Sequence, residues 1–243
     1  MIRSVVILVS LVLGLFSFQS VHGEMITLVS GNGAGQNNPD SIINFLAGPT
    51  GGPFAGTEAF TSQQFSDARN GSDARNLGTT VNSNIGRNSA WKAQLDSSSA
   101  QWISTVQTGS SAGGSALYAM EFTVGPGTID SATLDFRFLI DNELGDANRE
   151  GLYLNETEIV GSKRRPEQQA FFKQGQSFTQ FDVTSLLNTG TNTLYVYAVN
   201  NGNGPAALQF DAKFNITTVP EPTSFLMFGL AVVGCCRRKR RCL

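Results

Sequence analysis

The chain has 243 residues, of which 40% are apolar and 15% charged, with 26 glycines and 17 phenylalanines. That composition suits one β-rich domain with short terminal signals and excludes a disordered acidic chain. The net charge of −2 hides a body, residues 24–219, with 11 basic against 18 acidic residues, which excludes the basic face that nucleic-acid binding requires.

The chain opens with one cation, Arg3, and an apolar run over residues 5–18. Val21 and Gly23 then stand at the −3 and −1 positions of a small-residue cleavage site. This order predicts a secretory signal peptide over residues 1–23, an apolar helix removed by signal peptidase between Gly23 and Glu24. The single histidine, His22, precedes that cut, and the three cysteines, Cys235, Cys236 and Cys242, lie in the C-terminal tail. The body then has neither His nor Cys. Ser-His-Asp and Cys-His catalysis, zinc held by His or Cys, and disulfides are all excluded from it.

Residues 24–89 read as a loop-rich first part of the body. Residues 25–30 have a strand pattern, and residues 31–56 form a loop rich in Gly, Asn and Pro. Gly31-x-Gly33-x-Gly35 lacks the Lys-Ser/Thr of a phosphate loop. Thr61-x-x-Gln64 predicts a capped short helix over residues 63–69. A six-residue repeat follows, SDARNG at 66–71 and SDARNL at 72–77, and is expected in a surface loop.

Beyond residue 90 a period of two takes over. Tyr118, Met120, Phe122 and Val124 alternate, as do Leu134, Phe136, Phe138 and Ile140 with Asp135 and Arg137 opposite. Leu208, Phe210, Ala212, Phe214 and Ile216 give five apolar positions at every second residue, a spacing that fits a strand and not a helix. Residues 194–199 (LYVYAV) are apolar on both faces, as in a central strand. Turns are expected at Gly125-Pro126-Gly127, Asn142, Asn155 and Asn201-Gly202. The fold class is all-β: an antiparallel β-sandwich over residues 90–218 with one or two short helices.

Two clusters are candidate sites. Trp91, Tyr153, Tyr195 and Tyr197 offer flat faces for stacking on sugar rings, or they fill the core, as Trp102 is expected to do. Asp141, Glu143 and Asp146 share one loop and offer hard oxygen ligands for a structural Ca²⁺, or they form a solvated acidic turn without EF-hand spacing. No other cofactor is expected. Lys163-Arg164-Arg165 offers positive charge to an anionic polymer or simply solvates a loop tip.

The C-terminus, residues 219–243, has three parts in order: Val219-Pro220-Glu221-Pro222, an apolar stretch over residues 223–236, and a basic stop of Arg237, Arg238, Lys239, Arg240 and Arg241. The prolines end regular structure. Fourteen helical residues reach about 21 Å, short of the roughly 30 Å hydrocarbon core, so this hydrophobic helix suits a temporary stop. The ordered set resembles the PEP-CTERM sorting signal. The resemblance implies an exosortase that cleaves near Pro220-Glu221-Pro222 after transient anchoring in the inner membrane, leaving the body at the cell surface or outside the cell.

The body carries a second resemblance. Residues 182–194 (DVTSLLNTGTNTL) are similar to an element of galactose-binding-like jelly rolls, as are Gly151-Leu152-Tyr153-Leu154-Asn155, with Glu156 where glycine is usual, and Gln101-Trp102-Ile103-Ser104. This likeness spans about residues 90–217 and implies a jelly-roll body; the fold hosts many functions. The expectation is a non-enzymatic envelope or extracellular-matrix protein associated with polysaccharide. The alternative is a secreted hydrolase of polysaccharide or its accessory domain.

Overall fold

A computed structural model describes residues 21–31, 35–79, 88–96, 98–106, 113–164 and 171–219. The signal helix, residues 220–243 with the apolar stretch and the basic stop, and Arg165 lie outside the described residues. No helix among the described residues is long and apolar enough to cross a membrane.

The strands, in chain order, are β1 (His22–Val29), β2 (Pro39–Thr50), β3 (Ser72–Gly78), β4 (Trp102–Ser104), β5 (Gly114–Val124), β6 (Thr128–Asp141), β7 (Glu143–Leu144), β8 (Leu152–Leu154), β9 (Thr157–Glu158), β10 (Gln176–Asp182), β11 (Gly190–Val199) and β12 (Ala207–Val219). One helix, α1 (Ser62–Arg69), sits between β2 and β3, and a single 3₁₀ turn, Thr184–Leu186, precedes β11. The pairs are antiparallel and run in the order β10-β6-β12-β4-β3-β2-β5-β11-β8-β9, with β1 on β12 and β7 on β11. This single sheet curls so that its two halves face each other, which is the expected antiparallel sandwich.

The period-two pattern builds the main core. Tyr118, Met120, Phe122 and Val124 of β5 meet Leu134, Phe136, Phe138 and Ile140 of β6 and the alternating residues Leu208–Ile216 of β12 in one buried cluster. β11 has partners on both edges, β5 and β8, and is covered on both faces as its apolar run requires. Leu194, Val196 and Ala198 join the main core, while Tyr195, Tyr197 and Val199 join a second cluster on the opposite face. That second cluster is closed by Phe54, Phe60, Phe65 and Ala68, from α1 and the segment leading to it. A third cluster, with Trp91, Leu95, Trp102 and Leu139, covers the outer side of the other half.

The first part of the body departs from its expectation. Residues 31–56 are not all loop: β2 runs for 12 residues and pairs with both β3 and β5. Its turn-forming Gly, Asn and Pro residues surround the apolar stretch Ile42–Leu46, and pairing on both edges gives that stretch its strand conformation. β1 pairs with β12, β2 with β5 and β3 with β4. No seam separates residues 24–89 from residues 90–218 in the sheet.

Candidate functional site

The duplicated SDARN segment supplies the site. In the first copy, Thr61 caps α1 by the predicted capping box with Gln64, so residues 66–70 end a helix. The second copy is strand β3. The same five residues thus adopt two conformations, each set by its neighbours. Ala68 is buried under the helix and Ala74 inside the main core, so the repeat is not the surface loop expected from its polarity.

Strand geometry makes the second copy chemically distinct. Side chains two apart on a strand share a face, so Ala74 points inward while Asp73 and Arg75 stand together outside, their Cα atoms roughly 6.7 Å apart. In the helical copy, Asp67 and Arg69 are separated around the helix axis, and Asp67 accepts a hydrogen bond from Gln63 at 2.7 Å. Neither Asp73 nor Arg75 has an ion pair or side-chain hydrogen bond among the described residues.

These two groups border an open groove of about 440 Å³, which Pro39, Phe45, Ser72 and Thr105 also line. A register shift opens it: Asp40 pairs with Ala74 but Asn44 with Asp73, so residues 41–43 are extra on β2. Bulges of this kind re-aim side chains and interrupt pairing. Asp40, fully buried beneath, accepts hydrogen bonds from the backbone N–H of Gly31 at 2.8 Å and of Ile42 at 3.3 Å. Burial raises the Asp40 carboxyl above 3.8, against those two hydrogen bonds, and the Asp73 charge adds to the rise. Gly71 closes the groove's end, where a Cβ would collide with the Phe45 carbonyl oxygen. The groove thus offers a carboxylate, a guanidinium, two hydroxyls and the exposed Pro39 ring, while the Phe45 side chain turns into the main core. A second, somewhat smaller groove of about 380 Å³ lies on β1, β6 and β12, lined by Met25, Ser131, Thr133, Asn215 and Thr217.

Both clusters predicted as sites are corrected. Trp91, Tyr153, Tyr195 and Tyr197 form no stacking platform, because each is at most 3% exposed. Trp91 stacks on Trp102 at 4.6 Å, and Phe65 packs on Tyr195 at 4.8 Å and on Tyr153 at 5.3 Å. The core reading of these aromatics is the one the structure adopts. Asp141, Glu143 and Asp146 do not converge on a calcium position, and no group of His, Cys, Asp or Glu among the described residues is arranged to hold a metal.

The acidic residues serve protein donors instead. Asp141 accepts the Trp91 indole N–H at 2.8 Å, and burial raises its carboxyl, against hydrogen bonds from Trp91 and Asn142. Asp146 pairs with Arg149 at 2.9 Å and accepts the Tyr197 hydroxyl at 3.0 Å. Glu143 is buried in β7. Nor is this loop a solvated turn. Arg149 crosses it to donate to the carbonyls of Phe54, Ala55, Gly56 and Glu58, pinning the segment that covers the second cluster. Lys163 lies 3.5 Å from Glu150, and the Arg164 guanidinium lies over the Phe178 ring at 4.0 Å.

Residues 22–24 and 216–218 lie side by side at one end of the sheet. Gly23 and Glu24, expected to flank the signal cleavage site, lie in β1, where His22 pairs with Thr218 and Glu24 with Ile216. Val219, the first residue of the expected sorting motif, is the last of β12.

Comparison with known proteins adds the following. No curated protein matches the chain. A family 35 carbohydrate-binding module from Paenibacillus barcinonensis aligns at 12% identity and TM-score 0.27, over 61% of this chain and 98% of that one. One from Clostridium thermocellum aligns at 14% identity and TM-score 0.25, over 46% and 86%. The isomalto-dextranase of Arthrobacter globiformis T6, complexed with panose, aligns at 8% identity and TM-score 0.29, over 80% and 33%. The family model for the PEP-CTERM protein-sorting motif matches residues 218–241. The chain carries that motif, beginning inside β12, and with it the mark of export, membrane-associated sorting and processing by an exosortase.

Proposed function

We propose that this is a non-enzymatic protein of the envelope or extracellular matrix, whose sandwich holds a hydroxyl-rich polysaccharide in the groove beside β3. The reading rests on the sorting motif for location and on one observation for chemistry. Asp73 and Arg75 stand on one face at the edge of an open, bulge-widened groove, with no ion pair between them and any other of the described residues. A carboxylate accepts from sugar hydroxyls and a guanidinium donates to them, and the exposed Pro39 ring beside them suits the C–H face of a sugar. The groove lining holds a single carboxylate, Asp73, where glycoside hydrolysis takes a pair, which favours binding over cleavage. The signal peptide, the transient inner-membrane anchor and the later release belong to the same proposal.

The test is retention of purified residues 24–219 on a panel of immobilised polysaccharides, with products assayed for cleaved glycosidic bonds. Hydrogen bonds to charged groups contribute about 1.5–3 kcal/mol, so Asp73→Ala and Arg75→Ala should each weaken retention roughly tenfold or more. Thermal melting should hardly change, since neither side chain makes an ion pair or side-chain hydrogen bond among the described residues. Bond cleavage, or retention indifferent to both substitutions, would overturn the proposal.

A further inference from the structure

The last residues of β12 serve two structures at once. Thr218 and Val219 belong to the matched sorting motif, and both are also held in the sheet. On one side Val219 pairs with Thr128 and Thr218 with Ile129 of β6. On the other side Thr217 pairs with Gly23 and Thr218 with His22 of β1. The β5–β6 turn closes over the same end. Gly127 has φ +128°, and a Cβ there would come within 3.0 Å of the Val219 carbonyl oxygen. The Glu24 carboxylate accepts a hydrogen bond from the Gly125 N–H at 3.0 Å and so ties that turn to β1. Pro220 follows Val219 with no spacer residue between the sheet and Pro220-Glu221-Pro222.

A protease takes its substrate as an extended chain whose backbone is free to pair with the enzyme, and a strand inside a sheet is not free. Cleavage then proceeds through local opening, at a rate that follows the population of the open form. We propose that the folded body gates its own sorting: β6, β1 and the Gly125–Gly127 turn hold residues 217–219, and opening of this strand end sets the rate of exosortase processing. The gate rests on the processing that the motif implies. The reaction breaks one peptide C–N bond near Pro220-Glu221-Pro222. The acyl carbon passes to water or to an amine acceptor, and the nitrogen leaves as the amine of the tail, so no oxidant or reductant is involved. Removal of the chain up to Gly23 takes away the β1 partners of residues 217 and 218, leaving them on β6 alone. N-terminal processing therefore loosens the C-terminal gate.

The experiment follows the full-length protein over time in a cell that makes an exosortase, with intact and cleaved forms separated by mass. One variant inserts six Gly/Ser residues between Val219 and Pro220. Two others, Gly127→Ala and Glu24→Ala, loosen the turn without changing any spacing, and melting of residues 24–219 carrying each substitution checks the fold. Relief of the gate, by distance in the insertion and by loss of one or two strand-end contacts in the turn variants, should speed processing roughly threefold to tenfold in every folded variant. An intact wild-type protein would refute processing itself. A cleaved wild type with variants at the same rate would overturn the gate alone. Acceleration by the insertion without acceleration by a folded turn variant would show steric clearance and would equally overturn it.

Discussion

Arg149 shows how one side chain can set both a fold and a pH dependence. It is 3% exposed, and its charge is met by Asp146 and four backbone carbonyls. Burial alone would raise the Asp146 carboxyl, but hydrogen bonds from the N–H groups of Asn148 and Arg149, the Tyr197 hydroxyl and the Arg149 guanidinium outweigh it. The folded-state pKa therefore lies below the ordinary 3.8, and the folded protein binds this proton less tightly than the unfolded chain. The resulting stability is present above the unfolded value and is lost as pH falls through about 4 toward the folded value. Asp146→Asn leaves a buried guanidinium uncompensated and should cost about 3–5 kcal/mol at neutral pH. It should also flatten the acid limb below about pH 4. Urea midpoints measured from pH 2 to 7 for wild type and variant check both. An acid limb of unchanged slope in the variant would show that Asp146 is not its source.

Short elements were legible where one local rule decided them, and misleading where neighbours did. The Thr61–Gln64 box forecast α1 because capping is settled within four residues. Asn155 was forecast as a turn for the same reason. The SDARN repeat was not readable: identical residues became helix end at 66–70 and strand at 72–76, since only β2 and β4 tell the second copy what to be. The groove inherits that blindness. Asp73 and Arg75 share a face only once β3 is known to be a strand, and the sole signal available beforehand was an acid and a base two residues apart. Aromatic side chains were ambiguous for a related reason, because Tyr195 and Tyr197 face outward from the main core and only the cover from α1 makes them interior. The β8–β9 turn, by contrast, has a residue at odds with its geometry. Asn155 and Glu156 have φ of +50° and +71°, a two-residue turn that favours Asn-Gly. A left-handed conformation costs a non-glycine residue about 1–2 kcal/mol. Glu156→Gly should therefore stabilise the protein by about 1 kcal/mol, raising the melting midpoint by roughly 2–4 °C. A lower midpoint would mean that the Glu156 side chain makes a contribution larger than its backbone strain.

At the scale of the whole molecule, the alternating strands beyond residue 90 gave the sandwich but concealed how much of it the first part completes. Residues 24–89 contribute Leu28, Ile43 and Phe45 to the main core and Phe54, Phe60 and Phe65 to the second cluster. They also pair the open edges of β5 and β12. Burying a large apolar side chain contributes about 1.5–3 kcal/mol, so these six residues together rival the roughly 5–15 kcal/mol that holds a typical domain folded. Residues 90–219 alone would expose Tyr195 and Tyr197 and leave two strand edges unpaired, a state prone to association. The fragment should therefore show no cooperative thermal transition and no near-ultraviolet dichroism from Trp102, while residues 24–219 show both. A cooperative transition in the fragment would mean that the second half carries its own core, and that β1, β2 and α1 are additions to a sandwich already complete.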